Sequence, residues 1–311
     1  MASEMFITGE WGSVAMKLDL CVSNDLGLRI LESTTGPGIL SCPDPEAAFF
    51  NAIQGWLDRH GAMPVILAGM IGSNIGWRDS GYVSCPADAA TVADALTTIT
   101  SRGINIHFSP GLECQNIFGL PDVIRGEEMQ VFGWLANQAT DSRRIVCLPG
   151  RHTKWLVAEG QTIVSFFTAM TGELEDLLLT HGLLGKGVDR SAISHQAFVA
   201  GVGFIAKDPT LSLGHALFST RGRLVLGEHS ATEAASFLRG VLIGADVRDS
   251  VHAHRERGPI TDPLAVLGHG TNAELYLGAC DLLGLHSEFI DTTGLAVDGL
   301  ASLLSTVRSP A

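Results

Sequence analysis

The chain has 311 residues, 46% of them hydrophobic, and a formal net charge of −13. That is enough apolar material for one large core or two ordinary lobes, while the acidity argues against nucleic acid, whose binding needs Lys and Arg to neutralise phosphates. Glycines and charges break every apolar run before the roughly 20 residues of a bilayer crossing, so no membrane partner is expected.

Glu4 and the lack of a basic run ahead of an apolar block speak against a signal peptide. The six cysteines are scattered without a C-x-x-C pair, against a disulfide framework or a zinc knuckle. A cytoplasmic protein with reduced thiols is the expectation.

Phe6 to Gly9, Ala15 to Val22 and Arg29 to Ser33 read as three strands joined by short turns at Gly12 and at Asn24-Asp25. A helix from Asp44 to His60 and a buried strand at Val65 to Ala68 follow. The reading continues with a helix over Asp88 to Thr100, a strand at Ile104 to Phe108 and a helix over Glu127 to Gln138. Then the pattern restarts: Arg143 to Leu148, Lys154 to Ala158 and Thr162 to Thr168 are again three short strands. Helices are expected at Gly172 to Leu184, Ser191 to Val202 and Ala231 to Arg248. The last of these opens on a Ser230/Glu233 capping box and carries the stripe Ala234, Phe237, Leu238, Val241, Ala245. A strand at Leu264 to Leu267, a helix from Thr271 to Leu283 with a second capping box (Thr271 and Glu274), and a final helix at Val297 to Val307 complete the chain. Two lobes are expected, 1–139 and 140–311, with the last helix able to return to the first.

Five segments can carry chemistry. Gly9-Glu10-Trp11-Gly12-Ser13 is a strand end turning through glycine; backbone N–H groups of Gly12 and the Ser13 hydroxyl suit a phosphate, and Glu10 could hold Mg2+ through water. An ordinary hairpin with a solvated Glu10 is the alternative. The loop after the buried strand, Ala68 to Trp77, offers Gly72, Ser73 and Asn74 to a hydroxylated ligand, with Trp77 available to close over a sugar ring. It could equally be a plain connection. Arg125-Gly126-Glu127-Glu128 opens a helix; acidic residues are stabilised there by the dipole in any case, but one of the two carboxylates could serve as general base for a hydroxyl. Gly150-Arg151-His152-Thr153-Lys154 is a second strand-glycine-strand turn, carrying only donors, as a polyphosphate requires. Gly268-His269-Gly270-Thr271-Asn272 runs from strand through glycines to a helix start and can accept a ribose or adenine edge. Rival phosphate motifs fail: Gly185-Lys186 is followed by Gly187, which breaks the P-loop pattern, and Gly201-Val202-Gly203 follows a helix rather than a strand.

Two phosphate-facing hairpins, each opening a three-strand meander, with a carboxylate helix between them and a glycine corner near the end, resemble the sugar kinase, actin and chaperone ATPase superfamily. Within it the chain resembles the 2-keto-3-deoxygalactonate kinase family through Met70-Ile71-Gly72-Ser73 with Gly76-Trp77, Tyr82 to Pro86, Pro121 to Glu128, Leu148-Pro149-Gly150 with His152 and Lys154-Trp155, Met170 to Leu174, Phe218-Ser219 with Arg221 and Arg223, and Leu242-Ile243-Gly244. The resemblance implies a two-lobed actin-like ATPase (ribonuclease H-like) α/β fold with mixed sheets, each starting with a β-β-β meander, and a cleft between the lobes. It also implies transfer of the γ-phosphate of ATP, with Mg2+, to the C6 hydroxyl of 2-keto-3-deoxygalactonate.

By the same resemblance Glu127 stands where the wider sugar kinases have their catalytic aspartate, with Glu128 the alternative. Gly12-Ser13 and Gly150 to Thr153, with Lys154, would grip phosphates, and Gly268 to Asn272 would take adenosine. Arg125 would pair with the substrate carboxylate. Two residues depart from the family pattern: Glu10 replaces the usual Asp, and Arg151 a small residue. These departures keep open a non-catalytic binding or regulatory protein of the same fold, and a kinase of another sugar acid or ketose. A homodimer is also left open.

Overall fold

The computed structural model describes residues 4–25, 27–138, 143–256 and 262–308. Strands β1 (Glu4–Trp11), β2 (Ala15–Asn24) and β3 (Gly27–Pro37) form an antiparallel meander. Helix α1 (Pro45–His60) starts where the Asp44 carboxylate accepts the Ala47 amide at 2.9 Å and Pro45 presets the first turn. It buries Phe49, Phe50, Ile53 and Trp56 in the same core as Ile7, Leu18 and Leu20. β4 (Val65–Gly69) is buried throughout, as a strand covered on both faces must be, and runs parallel to β1.

β5 (Tyr82–Ser84) and a short α2 (Ala89–Asp94) come next. The expected helix over 88–100 stops at Asp94, because the β-branched run that follows forms β6 (Thr97–Ser101), antiparallel to β7 (Ile104–Phe108). β8 (Gly111–Gln115) lies between β5 and β9 (Pro121–Ile124), parallel to the first and antiparallel to the second, in a small three-stranded sheet that has no counterpart in the sequence reading. These strands are short, and their apolar residues show no sustained alternation. Helix α3 (Glu128–Leu135) ends this stretch.

β10 (Arg143–Leu148), β11 (Thr153–Glu159) and β12 (Thr162–Ala169) open the second sheet. After them come α4 (Thr171–Thr180), α5 (His195–Ala206), α6 (Leu213–Val225) and α7 (Ala231–Arg255), then β13 (Leu264–Gly268), α8 (Gly270–Leu282), β14 (Ser287–Asp291) and α9 (Leu295–Arg308). The sheet orders are β3-β2-β1-β4-β7-β6 and β12-β11-β10-β13-β14. Each places three successive strands side by side and then returns to lay a parallel strand against the first. This duplicated order is that of the two-lobed actin-like ATPase fold. The chain divides into two compact units, Met1–Asp141 with Ala158–Ser165 and Thr292–Ala311, and Ser142–Val157 with Phe166–Asp291. α9 belongs to the first unit, where it packs on α3.

The capping box at Ser230 forms as read: Ser230 N donates to Glu233 Oε2 at 2.8 Å and Glu233 N to Ser230 Oγ at 3.3 Å. The one expected at Thr271 and Glu274 does not; α8 begins at Gly270 with His269 at its cap and no side chain closing the first turn. Gly201 lies inside α5, where an added Cβ would stand 2.3 Å from Phe237 O and 3.0 Å from Gly240 Cα of α7. Gly201 of the Gly201-Val202-Gly203 fragment thus serves a helix crossing, whereas Gly203 faces open space. No helix among the described residues is long and apolar enough to cross a membrane.

Candidate active site

In the first unit β1 and β4 end together, with Glu10 opposite Ala68 and Trp11 opposite Gly69. Ligands of such sheets bind outside the carboxyl ends of parallel strands. Gly69 and Gly126 both have positive φ, 94° and 109°. A Cβ on Gly126 would lie 3.2 Å from Gly69 Cα, so the turn that opens α3 rests on the end of β4. Glu127, the next residue, therefore emerges at the strand end that carries Glu10.

Burial pushes the Glu10 carboxyl up; a hydrogen bond with Gln130 and the charge of Lys17 oppose that, and the charges of Asp19 and Glu127 add to it. Lys17 is the cross-strand partner of Glu10 and pairs with Asp19 at 3.0 Å. Glu128 points the other way. It is fully buried, its Oε2 accepts the Gly126 amide at 2.6 Å, and burial raises its pKa to about 7. Glu127 is half-exposed.

The five expected substrate residues divide. Arg125 donates from NH1 to Gly72 O (2.6 Å) and Ser80 Oγ (3.1 Å), from NH2 to Gly81 O (2.8 Å), and stacks 4.3 Å from the Tyr82 ring. Its two terminal nitrogens thus hold the loop after β4 in place. Ser73 Oγ donates to Met70 O at 2.7 Å. Trp77 packs edge-on and tilted among Phe49, Phe50 and Phe108, at centroid distances of 5.6, 6.3 and 5.6 Å, as part of the core rather than as an open platform. Asn74 is exposed. In the hairpin, the Gly12 amide donates to Ala15 O, and the Gly12 and Ser13 carbonyls accept from Ile39 and Leu40. The first turn is therefore rigid, and its Gly12 N–H is already satisfied.

In the second unit β10 and β13 are parallel, Val146 opposite Ala265 and Cys147 opposite Val266, so the turn at Gly150 and the corner at Gly268 lie at one end of this sheet. A Cβ on Gly268 would be 3.8 Å from Pro149 Cδ. The start of α4 closes on the same turn: a Cβ on Gly172 would meet Gly150 O at 2.6 Å, and Glu173 N donates to Arg151 O at 2.9 Å.

The donors of this turn are distributed among acids and hydroxyls. His152 Nε2 is hydrogen-bonded to Glu173 Oε2, which holds the Glu173 carboxyl below its usual range. Arg151 lies 3.7 Å from both Glu173 and Asp176. Thr153 is fully buried and its hydroxyl meets Tyr276 OH at 2.8 Å, so its side chain faces the core and only its backbone is available to a phosphate. Lys154 Nζ donates to Thr168 Oγ1 at 2.9 Å. His269, Gly270 and Asn272 lie at the exposed start of α8.

A family model described as DGOK, 2-keto-3-deoxy-galactonokinase, matches residues 10–303. The chain belongs to the 2-keto-3-deoxy-galactonokinase family. It is 36% identical over 253 residues to the 2-dehydro-3-deoxygalactonokinase of Escherichia coli (strain K12), covering 80% of this chain and 82% of the relative. It is 30% identical over 299 residues, 94% of each chain, to the Rhizobium meliloti (strain 1021) protein named Probable 2-dehydro-3-deoxygalactonokinase DgoK1. Among solved structures it superposes with a TM-score of 0.86 and 28% identity on a Sinorhizobium meliloti protein provisionally named as a 2-dehydro-3-deoxygalactonokinase, covering 98% of this chain and all of that one. Two polar side chains had no role in the sequence reading: Gln130, hydrogen-bonded to Glu10, and, in the second unit, the buried Asp246. The signal for Asp246 was present: it is the one charge in the apolar run from Val241 to Val247.

Proposed function

We propose that this chain transfers the γ-phosphoryl group of ATP to the terminal C6 hydroxyl of 2-keto-3-deoxygalactonate. The observation that carries this reading is the convergence of Glu10 and Glu127 at the shared end of β1 and β4, in a chain of this family. Glu127 is the general base: it is half-exposed, whereas Glu128 is turned inward and occupied by the Gly126 amide. Phosphoryl transfer asks little else of a protein than a base for the acceptor hydroxyl, alignment and charge stabilisation. The hydroxyl proton passes to Glu127 as its oxygen attacks phosphorus, and ADP leaves with the bridging oxygen's electrons.

The acid set suits a hydrated Mg2+. Among the described residues no three His, Cys, Asp or Glu side chains come together to form a direct cage, and Mg2+ that keeps its waters and binds phosphates needs only a carboxylate such as Glu10 nearby. When bound, the ion would neutralise phosphate charge. Ser13, presented by the turn that Gly12 closes, and the Gly150 to Thr153 backbone with His152 and Lys154 are assigned to the phosphates, and Gly268, His269, Gly270 and Asn272 to adenosine. Gly72, Ser73, Asn74 and Arg125 are assigned to the sugar-acid side, with Trp77 packing their loop onto the core. Of these, Arg125 acts by fixing the loop that offers Asn74, given its three bonds to that loop.

A coupled ADP-release assay over a panel of 2-keto-3-deoxy sugar acids and ketoses tests the reading. Turnover should be greatest with 2-keto-3-deoxygalactonate and should stop in excess chelator. Binding of the sugar acid without ADP release on any member would overturn it in favour of a non-catalytic protein of this fold.

A further inference from the structure

The second unit contains a buried carboxylate that the reaction as assigned does not use. Asp246 lies on α7 and is 9% exposed. Its Oδ1 accepts from Trp155 Nε1 at 2.9 Å and Ser250 Oγ at 3.2 Å; its Oδ2 accepts from Tyr276 OH at 2.6 Å and Thr171 Oγ1 at 2.7 Å. Tyr276 OH is met in turn by the Thr153 hydroxyl at 2.8 Å. Burial pushes the Asp246 carboxyl up against the pull of these four donors. A buried charge is costly unless every lone pair is used, and here the donors come from four different elements.

The positions of those donors are informative. Thr153 is the first residue of β11, directly after the turn at Gly150. Thr171 is the first residue of α4, one before Gly172, whose Cα sits against Gly150 O and Arg151. Tyr276 is two turns into α8, the helix that starts at the Gly268 corner. Trp155 follows Thr153 on the same face of β11. One carboxylate therefore ties together the three segments that meet at the end of this sheet; Trp155 and Tyr276 lie within a few residues of the backbone assigned to ATP, and Thr171 opens the helix that packs on the turn at Gly150.

We propose that Asp246 is a positioning residue for the nucleotide: through Tyr276–Thr153 and through Thr171 it sets the backbone of Gly150 to Thr153 against the start of α4, so that the amides there are preorganised for phosphate. The proposal rests on the assignment of this turn to ATP. A buried hub that merely stabilised the unit would lower melting temperature without distinguishing one substrate from the other. Preorganisation instead predicts selective loss toward ATP, because a misplaced donor costs binding and alignment together.

The test uses the full-length enzyme. Asp246→Asn keeps the volume but replaces one acceptor with a donor, which then faces hydroxyls already arranged to donate. Its KM for ATP and Kd for ADP should rise at least tenfold, while the Kd for 2-keto-3-deoxygalactonate stays within twofold. Should Asp246→Asn fail to fold, Tyr276→Phe removes the hydroxyl that links Asp246 to Thr153, Thr171→Val removes a single bond, and each should raise KM for ATP by roughly 3- to 10-fold. Thr153→Val in the Tyr276→Phe background should add little, since both hydroxyls act through one chain. Hydrogen exchange of the 150–153 amides in the nucleotide-free enzyme should quicken in each variant. Lowered melting temperature with unchanged ATP constants and unchanged exchange at 150–153 would overturn the proposal, as would equal losses toward both substrates. A wild-type enzyme that binds ADP with no change in exchange at 150–153 would instead sink the underlying assignment of the turn.

Discussion

Glu128 Oε2 accepts the Gly126 amide at 2.6 Å, so the two adjacent carboxylates of the α3 turn face different surroundings. Glu127 emerges where its charge is felt by Glu10. Glu128 is sealed beneath the turn.

Glu127→Gln removes the proton acceptor and keeps the shape. The kcat should fall by roughly 10²- to 10⁴-fold with little change in ATP affinity. Glu128→Gln retains an oxygen for the Gly126 amide, and its kcat should stay within about tenfold of wild type. Steady-state kinetics of the two variants side by side checks the assignment; a reversed order would move the base to Glu128.

Glu128 also makes a stability prediction. Its pKa is raised in the folded state to about 7 from an ordinary 4.5, so the folded protein holds this proton more tightly than the unfolded chain. The group favours folding most below about pH 4.5, and that contribution is lost as pH rises through about 7. A shift of this size corresponds to an upper bound of about 3 kcal/mol. Glu128→Gln removes the titration, so its stability relative to wild type should improve from pH 5 to pH 8. Urea midpoints at both pH values measure the difference; parallel midpoints would show that the wild-type carboxyl titrates normally.

The duplicated β-β-β starts were legible because strand alternation and turn glycines are local signals, and so was the Ser230 capping box, whose whole chemistry lies in four residues. What depended on distant partners was not. The three-stranded sheet of β5, β8 and β9 joins segments up to 42 residues apart and exposes much of each strand. The β-branched run 97–101 was absorbed into a helix because only its pairing with β7 reveals it. In the candidate site, the glycine turns and the acidic helix start could be read along the chain. The direction in which Glu128, Thr153 and Trp77 point could not, since each side chain is captured by a residue remote in sequence or by the fold of the turn itself.

Trp77 was read as a sugar platform and sits in an aromatic cluster with Phe49, Phe50 and Phe108. Trp77→Leu should cost about 2–4 kcal/mol of stability, through lost ring contacts and residual space. The KM for the sugar acid should change less than threefold in the folded fraction. A large KM effect without loss of stability would restore the platform role.

The Arg151 guanidinium lies 3.7 Å from both Glu173 and Asp176 with 57% of the side chain exposed. Exposed pairs of this kind contribute little to stability. Arg151→Ala should therefore leave melting temperature nearly unchanged and KM for ATP within threefold. Because Glu173 keeps His152 as a partner, the turn retains its tie to α4. A tenfold rise in KM would mean that Arg151 leaves its acids for the phosphates when ATP binds.

Glu10 carries the larger consequence. Its carboxyl is raised by burial and by the neighbouring charges of Asp19 and Glu127, and restrained by Gln130 and Lys17. A carboxylate crowded by other acids and poorly solvated gains from a nearby cation, which is the condition under which an outer-sphere Mg2+ site forms. Glu10→Gln should raise the Mg2+ concentration for half-maximal rate by about tenfold, while saturating Mg2+ restores much of kcat. Glu10→Asp keeps the charge but draws it back by one methylene toward the backbone, so its Mg2+ requirement should fall between wild type and the Gln variant. Titration of rate against Mg2+ at fixed ATP separates these cases. An unchanged Mg2+ profile in Glu10→Gln, with a lowered kcat at every concentration, would assign Glu10 to holding Glu127 and Gln130 in place instead.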